Sequence, residues 1–468
     1  MWNFKYFGDN LAFITDRGQR LTYTELEEEG ARLAAIVGVR GLVFSLCTNS
    51  MGSVVGYTGF LNHNIVPVLL NAEMDKALLN SLIETYYPEY LWIPKDKKST
   101  FDTFEVCYEA YDYILLKTNY ENKAILHEHL GLLLTTSGST GSPKFVRQSY
   151  TNIMANAKSI VEYLKLDATE RPITTLPMNY TYGLSIINSH LLVGATILLT
   201  DSTLMQKEFW SFMKEERATS FGGVPYTYEM LAKLRFFRMD LPYLRYMTQA
   251  GGKLSPELHK EFAEYAQSKD KKFIVMYGQT EATARMGYLP AEYSVEKYGS
   301  MGIAIPGGTF SIIDVDGTVV EEPDKVGELV YEGPNVTMGY AQCADDLSKE
   351  NEWNGKLITG DMVKKDKDGF YYIVGRKKRF LKIYGNRVNL DETERMIKES
   401  FSELDCACTG VDDHLYAYVT ESNEQVHVKI KTFLAEKTKL NPVAFVVEYI
   451  EKIPKNEAGK TLYRELEK

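Results

Sequence analysis

The chain has 468 residues, 44% hydrophobic and 25% charged, which excludes a disordered or fibrous polypeptide and leaves room for two or more globular domains. A formal net charge of -10 argues against a nucleic-acid binder, which needs a basic face to meet phosphates, so small molecules are the expected ligands. Five scattered cysteines, odd in number and without a CxxC pair, predict neither a disulfide framework nor a zinc site and fit a reducing, cytoplasmic setting.

The opening "MWNFKYFGDNLAF" lacks the basic-then-apolar pattern of a secretion signal. "LTYTELEEEGARLAAIV" reads as a helix capped by a Thr, with Leu26, Ala31, Leu33 and Ala34 at helical spacing. "GLVFSLC" and "IVPVLLN" read as buried strands around an apolar helix starting near Ser53. A helix follows from about residue 150, then alternating strands ("PITTLPM", "ATILLT") and helices ("KEFWSFMKEE", "SPELHKEFAEYAQ"). The apolar run "IINSHLLVGATILL" is broken by Asn188, Ser189 and His190, so no membrane span is expected. After residue 300, repeated xDGx turns between short strands predict β-hairpins, a small barrel or meander. Beyond the basic run "RKKRFLK" the pattern returns to α+β, with an amphipathic helix at "LDETERMIKESFSEL". The whole is an α/β protein.

Five stretches carry chemistry. In "LLLTTSGSTGSPKFVRQ" an apolar strand runs into Thr136, Ser137, Gly138, Ser139, Thr140 and Gly141 and ends at Lys144, offering backbone N–H groups, hydroxyls and an ammonium to a triphosphate such as that of ATP. It is not a Walker loop, because GxxxxGK[ST] is absent; the bland alternative, a Ser/Gly linker, predicts polar flanks, whereas this loop is read as lying between a strand and a helix. In "FIVMYGQTEATARMGYL" a strand ends at Tyr277, whose ring can stack on a base, followed by Thr280 and Glu281, a hydroxyl for phosphate and a carboxylate for Mg2+; taken alone, Glu281 reads first as a solvated turn residue. "LITGDMV" sets Asp361 after a Thr-Gly turn, to accept ribose hydroxyls or simply to sit in a hairpin. "VGRKKRFLKIYGNRVN" is either a solvated basic patch or Arg376 on a nucleotide followed by a hinge. "IPKNEAGKTLYREL" ends in GKT without the Walker context, leaving Lys460 to a different role or to the surface.

In this order and spacing, the five stretches resemble the acyl-adenylate-forming superfamily: acyl- and aryl-CoA synthetases, peptide-synthetase adenylation domains and luciferase. The likeness covers essentially the whole chain. It implies a large N-terminal domain of stacked α/β subdomains plus a small β-barrel-like part, over residues 1–377, and a small mobile α+β domain over 378–468. It also implies that a carboxylate attacks the ATP α-phosphorus to give acyl-AMP and pyrophosphate, and that a thiol then displaces AMP. By resemblance, Thr136–Lys144 cradles the β- and γ-phosphates, Tyr277 stacks on adenine, Thr280 meets the α-phosphate and Glu281 binds Mg2+. Asp361 and Arg376 hold the ribose, and Lys460 bridges the carboxylate and α-phosphate oxygens. Lys378 is the hinge, and Lys382 and Gly385 face the site in the thiol step. Tyr180, Tyr182, Gly183 and the Gly251–Gly252 loop are the pocket candidates for the acid.

Three departures stand out. Phe145 occupies the place of a usual Gly after the loop lysine, which implies an altered exit from the loop. Tyr180 stands where acyl-CoA synthetases often carry His. The Asp that amino-acid-activating domains place near Gly183 is missing, and an unpaired buried ammonium is costly. The expected protein is an acid–thiol ligase passing its acyl group to coenzyme A or to the phosphopantetheine of an acyl carrier protein. An amino-acid loader and a nucleotide-sensing scaffold are the alternatives.

Overall fold

The computed structural model describes residues 1–120, 124–135, 144–314, 316–384, 386–411, 413–455 and 461–466. The chain forms two compact units, one of residues 1–309 with 331–357, the other of 310–330 with 358–468.

The first unit is built on two large sheets. One has six parallel strands in a row, Leu11–Thr15, Ile197–Leu199, Pro172–Ile173, Ser220–Gly223, Tyr246–Gln249 and Lys272–Tyr277 in spatial order. The other has a parallel core of Leu130–Thr135, Val66–Asn71, Leu42–Cys47 and Tyr90–Pro94. These strands are short, apolar and buried, as parallel strands covered by helices must be. The helix Met51–Asn62 is buried at every position except Asn62, because its sequence is apolar all round. Its Val54 and Tyr57 share one core with Leu69 and Leu132 of one sheet, Ile197 and Leu199 of the other, and Leu184, Ile187 and Leu191 of the helix Thr181–Leu192.

Helix starts follow the expected local chemistry. Thr22 caps Tyr23–Val37 in a reciprocal box with Glu25, and Ser149 caps Tyr150–Leu164 with Asn152. The predicted hairpin region is a four-stranded sheet whose strands Thr309–Ile313, Gly327–Glu332, Lys356–Lys365 and Tyr371–Arg376 neighbour one another in chain order, the meander expected from the DG turns. In the second unit the amphipathic helix Leu390–Ser400 and the helix Glu424–Thr438 pack with the three-stranded sheet Cys406–Val411, His414–Val419 and Phe445–Tyr449 around Ile397, Cys408, Leu415, Ile430 and Leu434. No helix among the described residues is long and apolar enough to cross a membrane.

Candidate functional site

Thr136 to Gly141 lie outside the described residues, but both flanks of the loop are defined. Leu130–Thr135 pairs antiparallel with Phe145–Ser149, Thr135 opposite Phe145, so the loop joins two strands. The expected strand–loop–helix arrangement is thus corrected: one more strand intervenes, and the helix begins only at Tyr150. Phe145 turns inward from this strand. It is fully buried, 4.6 Å from the Tyr86 ring and 6.3 Å from Phe44 between ring centres. A residue expected to alter the phosphate loop is therefore a core anchor at its exit.

Lys144 meets an aromatic ring. Its Nζ lies 3.5 Å from the centre of the Tyr340 ring, and the Tyr340 hydroxyl donates to Glu281 Oε1 at 2.7 Å. Burial and the neighbouring Glu281 push the Tyr340 phenol pKa up, so it stays a donor. Lysine, aromatic ring and carboxylate thus form one chain across the unit. Tyr340 went unassigned in the sequence because nothing local marks one tyrosine among 32.

The segment bearing Tyr340 is pinned by Arg147, the fully buried partner strand residue. Its guanidinium donates to the carbonyls of Met338 (2.8 Å), Tyr340 (3.1 Å) and Lys349 (2.5 Å) and to Glu352 Oε2 (2.6 Å).

Tyr277 closes the strand Lys272–Tyr277, and Thr280 and Glu281 follow on the short turn Thr280–Ala282. The next residues, Thr283 and Ala284, have φ of 52° and 92°, a strained conformation for side-chain-bearing residues. Gly278 makes the turn possible, since a Cβ there would lie 1.5 Å from the Ala284 carbonyl oxygen. The turn is held by Asn335, whose amide donates to the carbonyls of Ala282 (2.7 Å) and Arg285 (2.9 Å), and by Thr337, whose N–H donates to the Glu281 carbonyl at 3.0 Å. The strain falls at Thr283 and Ala284, just past the residues named for phosphate and metal, and the restraints hold the turn that carries them.

The pocket candidates converge only in part. The Tyr180 hydroxyl abuts Gly251, and the Tyr182 hydroxyl abuts Gly222 and donates to the Thr248 carbonyl at 2.9 Å. Gly252 packs against Pro225. Gly183 instead serves packing: a Cβ would meet the Pro177 carbonyl at 2.4 Å in the first turn of its helix. Behind Gly222 and Thr248 lies an enclosed cavity of ≈ 10 Å³, about the room of one water, reached also by His190, Tyr246 and Arg285. His190 sits between the Ile186 carbonyl (2.8 Å) and the Tyr246 hydroxyl (3.1 Å), and burial lowers its pKa to about 4, so it is neutral near pH 7.

In the second unit Asp361 and Arg376 face each other across a strand pair, Arg376 Nε 3.0 Å from Asp361 Oδ1. The Thr-Gly pair before Asp361 makes no chain reversal: Asp361 lies inside the strand Lys356–Lys365, with Gly360 at φ 73°. Lys378 is exposed on the turn Lys377–Arg379 between Lys377, bonded to Glu328 at 2.7 Å, and Arg379, paired with Asp391 (2.8 Å) and Glu394 (2.5 Å). Lys382 is exposed on the strand Phe380–Ile383. Gly385 and Lys460 lie outside the described residues. Just past Lys460, Tyr463 donates to Glu394 at 3.0 Å beneath the Arg379 guanidinium.

A two-sheet α/β unit with a lysine-ended loop, a restrained TEA turn and a smaller α+β unit defines the fold of the adenylate-forming enzymes, and solved structures agree. The chain matches o-succinylbenzoate coenzyme A synthetase from Bacillus subtilis in complex with the acyl-adenylate intermediate OSB-AMP, at a TM-score of 0.78 and 22% identity over 98% of this chain and 96% of that one. It matches ATP-bound MatB from Rhodopseudomonas palustris at 0.78 and 20% identity over 99% and 97%. The family model described as AMP-binding enzyme matches residues 2–341, and the chain belongs to that family. Two similar curated relatives are both 2-succinylbenzoate–CoA ligases. That of Bacillus cereus (strain ZK / E33L) is 26% identical over 471 residues, covering 96% of this chain and 93% of the relative. That of Bacillus licheniformis is 25% identical over 473 residues, covering 98% and 96%. The chain is an enzyme of the AMP-forming acid–thiol ligase class, and the scaffold alternative is set aside.

Proposed function

We propose that this enzyme activates a small carboxylic acid with ATP as its acyl-adenylate and transfers the acyl group to coenzyme A. The observation that carries the reading is the Lys144–Tyr340–Glu281 chain. It joins the lysine we assign to phosphate and the carboxylate we assign to the metal within one compact unit. The acid's carboxylate oxygen attacks the α-phosphorus and pyrophosphate leaves; the thiol then attacks the acyl carbonyl carbon and AMP leaves.

This chemistry asks for positioning and charge stabilisation rather than an enzymic nucleophile. We assign the loop Thr136–Lys144 to the β- and γ-phosphates, Tyr277 to the adenine face, Thr280 to the α-phosphate and the Asp361–Arg376 pair to the ribose. Glu281, oriented by Tyr340, would hold Mg2+, which when bound neutralises phosphate charge; a single half-buried carboxylate suits an ion that keeps waters and phosphate oxygens as its other ligands. Lys460 bridges the reacting carboxylate and the α-phosphate. We place the hinge at Lys378, between residues 1–377 and a mobile 378–468, with Lys382 and Gly385 serving the thiol step. A carrier protein's phosphopantetheine presents the same thiol as coenzyme A and is the second acceptor to assay.

The test is ATP–pyrophosphate exchange over a panel of acids, with mass detection of the thioester. Lys460→Ala is expected to abolish exchange while retaining most transfer from supplied acyl-AMP to coenzyme A. Equal loss of both steps would remove Lys460 from the adenylation step, and no exchange with any acid, in a protein that binds ATP, would refute the ligase reading.

A further inference from the structure

Tyr463, three residues past Lys460, is tied to groups far from it in the chain. Its hydroxyl donates to Glu394 Oε2 at 3.0 Å across 69 residues, and its ring lies against the Arg379 guanidinium, whose carbon is 3.7 Å from the ring centre. The other oxygen of Glu394 accepts from Arg379 at 2.5 Å and from the Cys408 N–H at 2.7 Å. Arg379 completes its fork on Asp391 Oδ1 at 2.8 Å and on the Cys408 carbonyl at 2.5 Å. Arg379 and Glu394 thus neutralise each other with or without the phenol. What Tyr463 adds is a fastening of the C-terminal segment to that pair. Burial and the neighbouring Glu394 push the Tyr463 phenol pKa up, so it stays a donor.

Residues 456–460 lie outside the described residues, yet the chain is fixed on both sides of them. Lys455 and Thr461 pair across an antiparallel bridge, and the Leu462 N–H donates to the Pro454 carbonyl at 2.9 Å. The five residues that end in Lys460 therefore leave and return at one closed base. On its near side Lys455 Nζ meets Asp405 Oδ2 at 2.5 Å, while Lys398 holds the other carboxylate oxygen at 2.9 Å. Beneath it Ile453 and Leu466 are buried with Ala407 and Tyr418. On its far side the tie is Tyr463. The same Arg379 ends the turn Lys377–Arg379, so the base of the lysine segment and the start of the strand Phe380–Ile383 share one support.

We propose that Tyr463, clamped by Arg379 and Glu394, is a positioning residue for Lys460: it fixes the direction in which the lysine leaves its closed base, and so serves adenylation but not thiol transfer. The proposal rests on the adenylation role assigned to Lys460 above. A cation stabilises the attack on phosphorus only where the charge develops, and a displacement of about 1 Å at a reacting centre can cost about 100-fold. A tie that merely held the unit together would also loosen the strand Phe380–Ile383, which carries Lys382, and would weaken both steps alike.

The experiment compares Lys460→Ala, Tyr463→Phe and Tyr463→Leu in the full chain by two assays. One is ATP–pyrophosphate exchange with the best acid of the panel; the other is transfer from supplied acyl-AMP to coenzyme A. Tyr463→Phe keeps the ring against Arg379 and deletes only the hydroxyl, whereas Tyr463→Leu removes both. The expected result is a fall in kcat for exchange of about tenfold in Tyr463→Phe and about 100-fold in Tyr463→Leu, with KM for ATP and the transfer rate unchanged. Wild-type exchange in both Tyr463 variants, or equal loss of both steps, would overturn the positioning role while leaving the ligase reading intact. Equal loss of both steps in Lys460→Ala would instead remove the assignment on which the proposal rests. Should Tyr463→Leu fail to fold, as judged by circular dichroism, Tyr463→Phe decides alone.

Discussion

Tyr340 and Phe145 are the two residues whose meaning changed most between chain and fold. Tyr340 touches both Lys144 and Glu281 although neither is near it in sequence, the Glu281 contact spanning 59 residues. Its hydroxyl orients the carboxylate assigned to Mg2+, the kind of supporting contact whose loss typically weakens metal function 10- to 100-fold. Tyr340→Phe keeps the ring under Lys144 and removes only that hydrogen bond. The expected outcome is a folded enzyme whose exchange requires about tenfold more Mg2+, read from Mg2+ titrations at saturating ATP. An unchanged titration would show that Glu281 needs no orientation from Tyr340. Phe145 does the opposite kind of work: packed on Tyr86 and Phe44, it fastens the loop's exit to the core.

At the level of elements, the loop proposed for phosphate joins two paired strands, and the second of them is sewn to the segment 338–352. The strand Phe145–Ser149 pairs with Tyr340–Ala341, and Arg147 adds its backbone and guanidinium to the seam. Arg147→Met would keep the length of the side chain and remove the donor to the Lys349 carbonyl, while the Met338 carbonyl would still accept from the Glu352 N–H at 3.0 Å. Glu352, half exposed, would return to water, so the cost is that of the unpaired buried carbonyl, about 1–3 kcal/mol. Native-state hydrogen exchange should show protection lost across 338–352 while the strand Ser220–Gly223 keeps its own, and KM for ATP should rise with the displacement of Tyr340. Uniform loss of protection over the unit would mean that Arg147 supports global stability rather than this seam.

For the molecule as a whole, pH enters through two buried histidines of the first unit. Burial lowers the pKa of His190 and of His259 from 6.5 to about 4. His259 is held by Ser294 and by the N–H of Gly299. Both are neutral when folded, whereas the unfolded chain takes up a proton at each below pH 6.5, so the stability they lend is present above that pH and is lost as pH falls toward 4. Each pKa unit corresponds to about 1.4 kcal/mol, so the two together remove up to roughly 6 kcal/mol over that interval. Urea midpoints measured between pH 7.5 and 4.5 should decline most steeply below 6.5, and a His259→Gln variant should show a shallower decline. A flat profile would contradict the buried neutral state.

Much of this was legible in the sequence for a physical reason. Helix caps, apolar strands and the meander depend on residues a few positions apart, so Thr22, Leu42–Cys47 and the DG turns announce themselves. The order of the loop, the YGQTEA turn, the TGD strand and the basic run pointed to adenylate chemistry, because each offers groups a nucleotide requires. What the tertiary structure alone decided are contacts between distant segments and the solvent state of a side chain. It brought Tyr340 to Glu281, turned Phe145 into the core, set Asp361 against Arg376 across a strand pair and buried Arg285 with no carboxylate at ion-pair distance among the described residues. An arginine reads the same in a sequence whether it is solvated, ion-paired or buried among neutral groups; its burial and its neighbours, which only the folded chain brings together, separate the three.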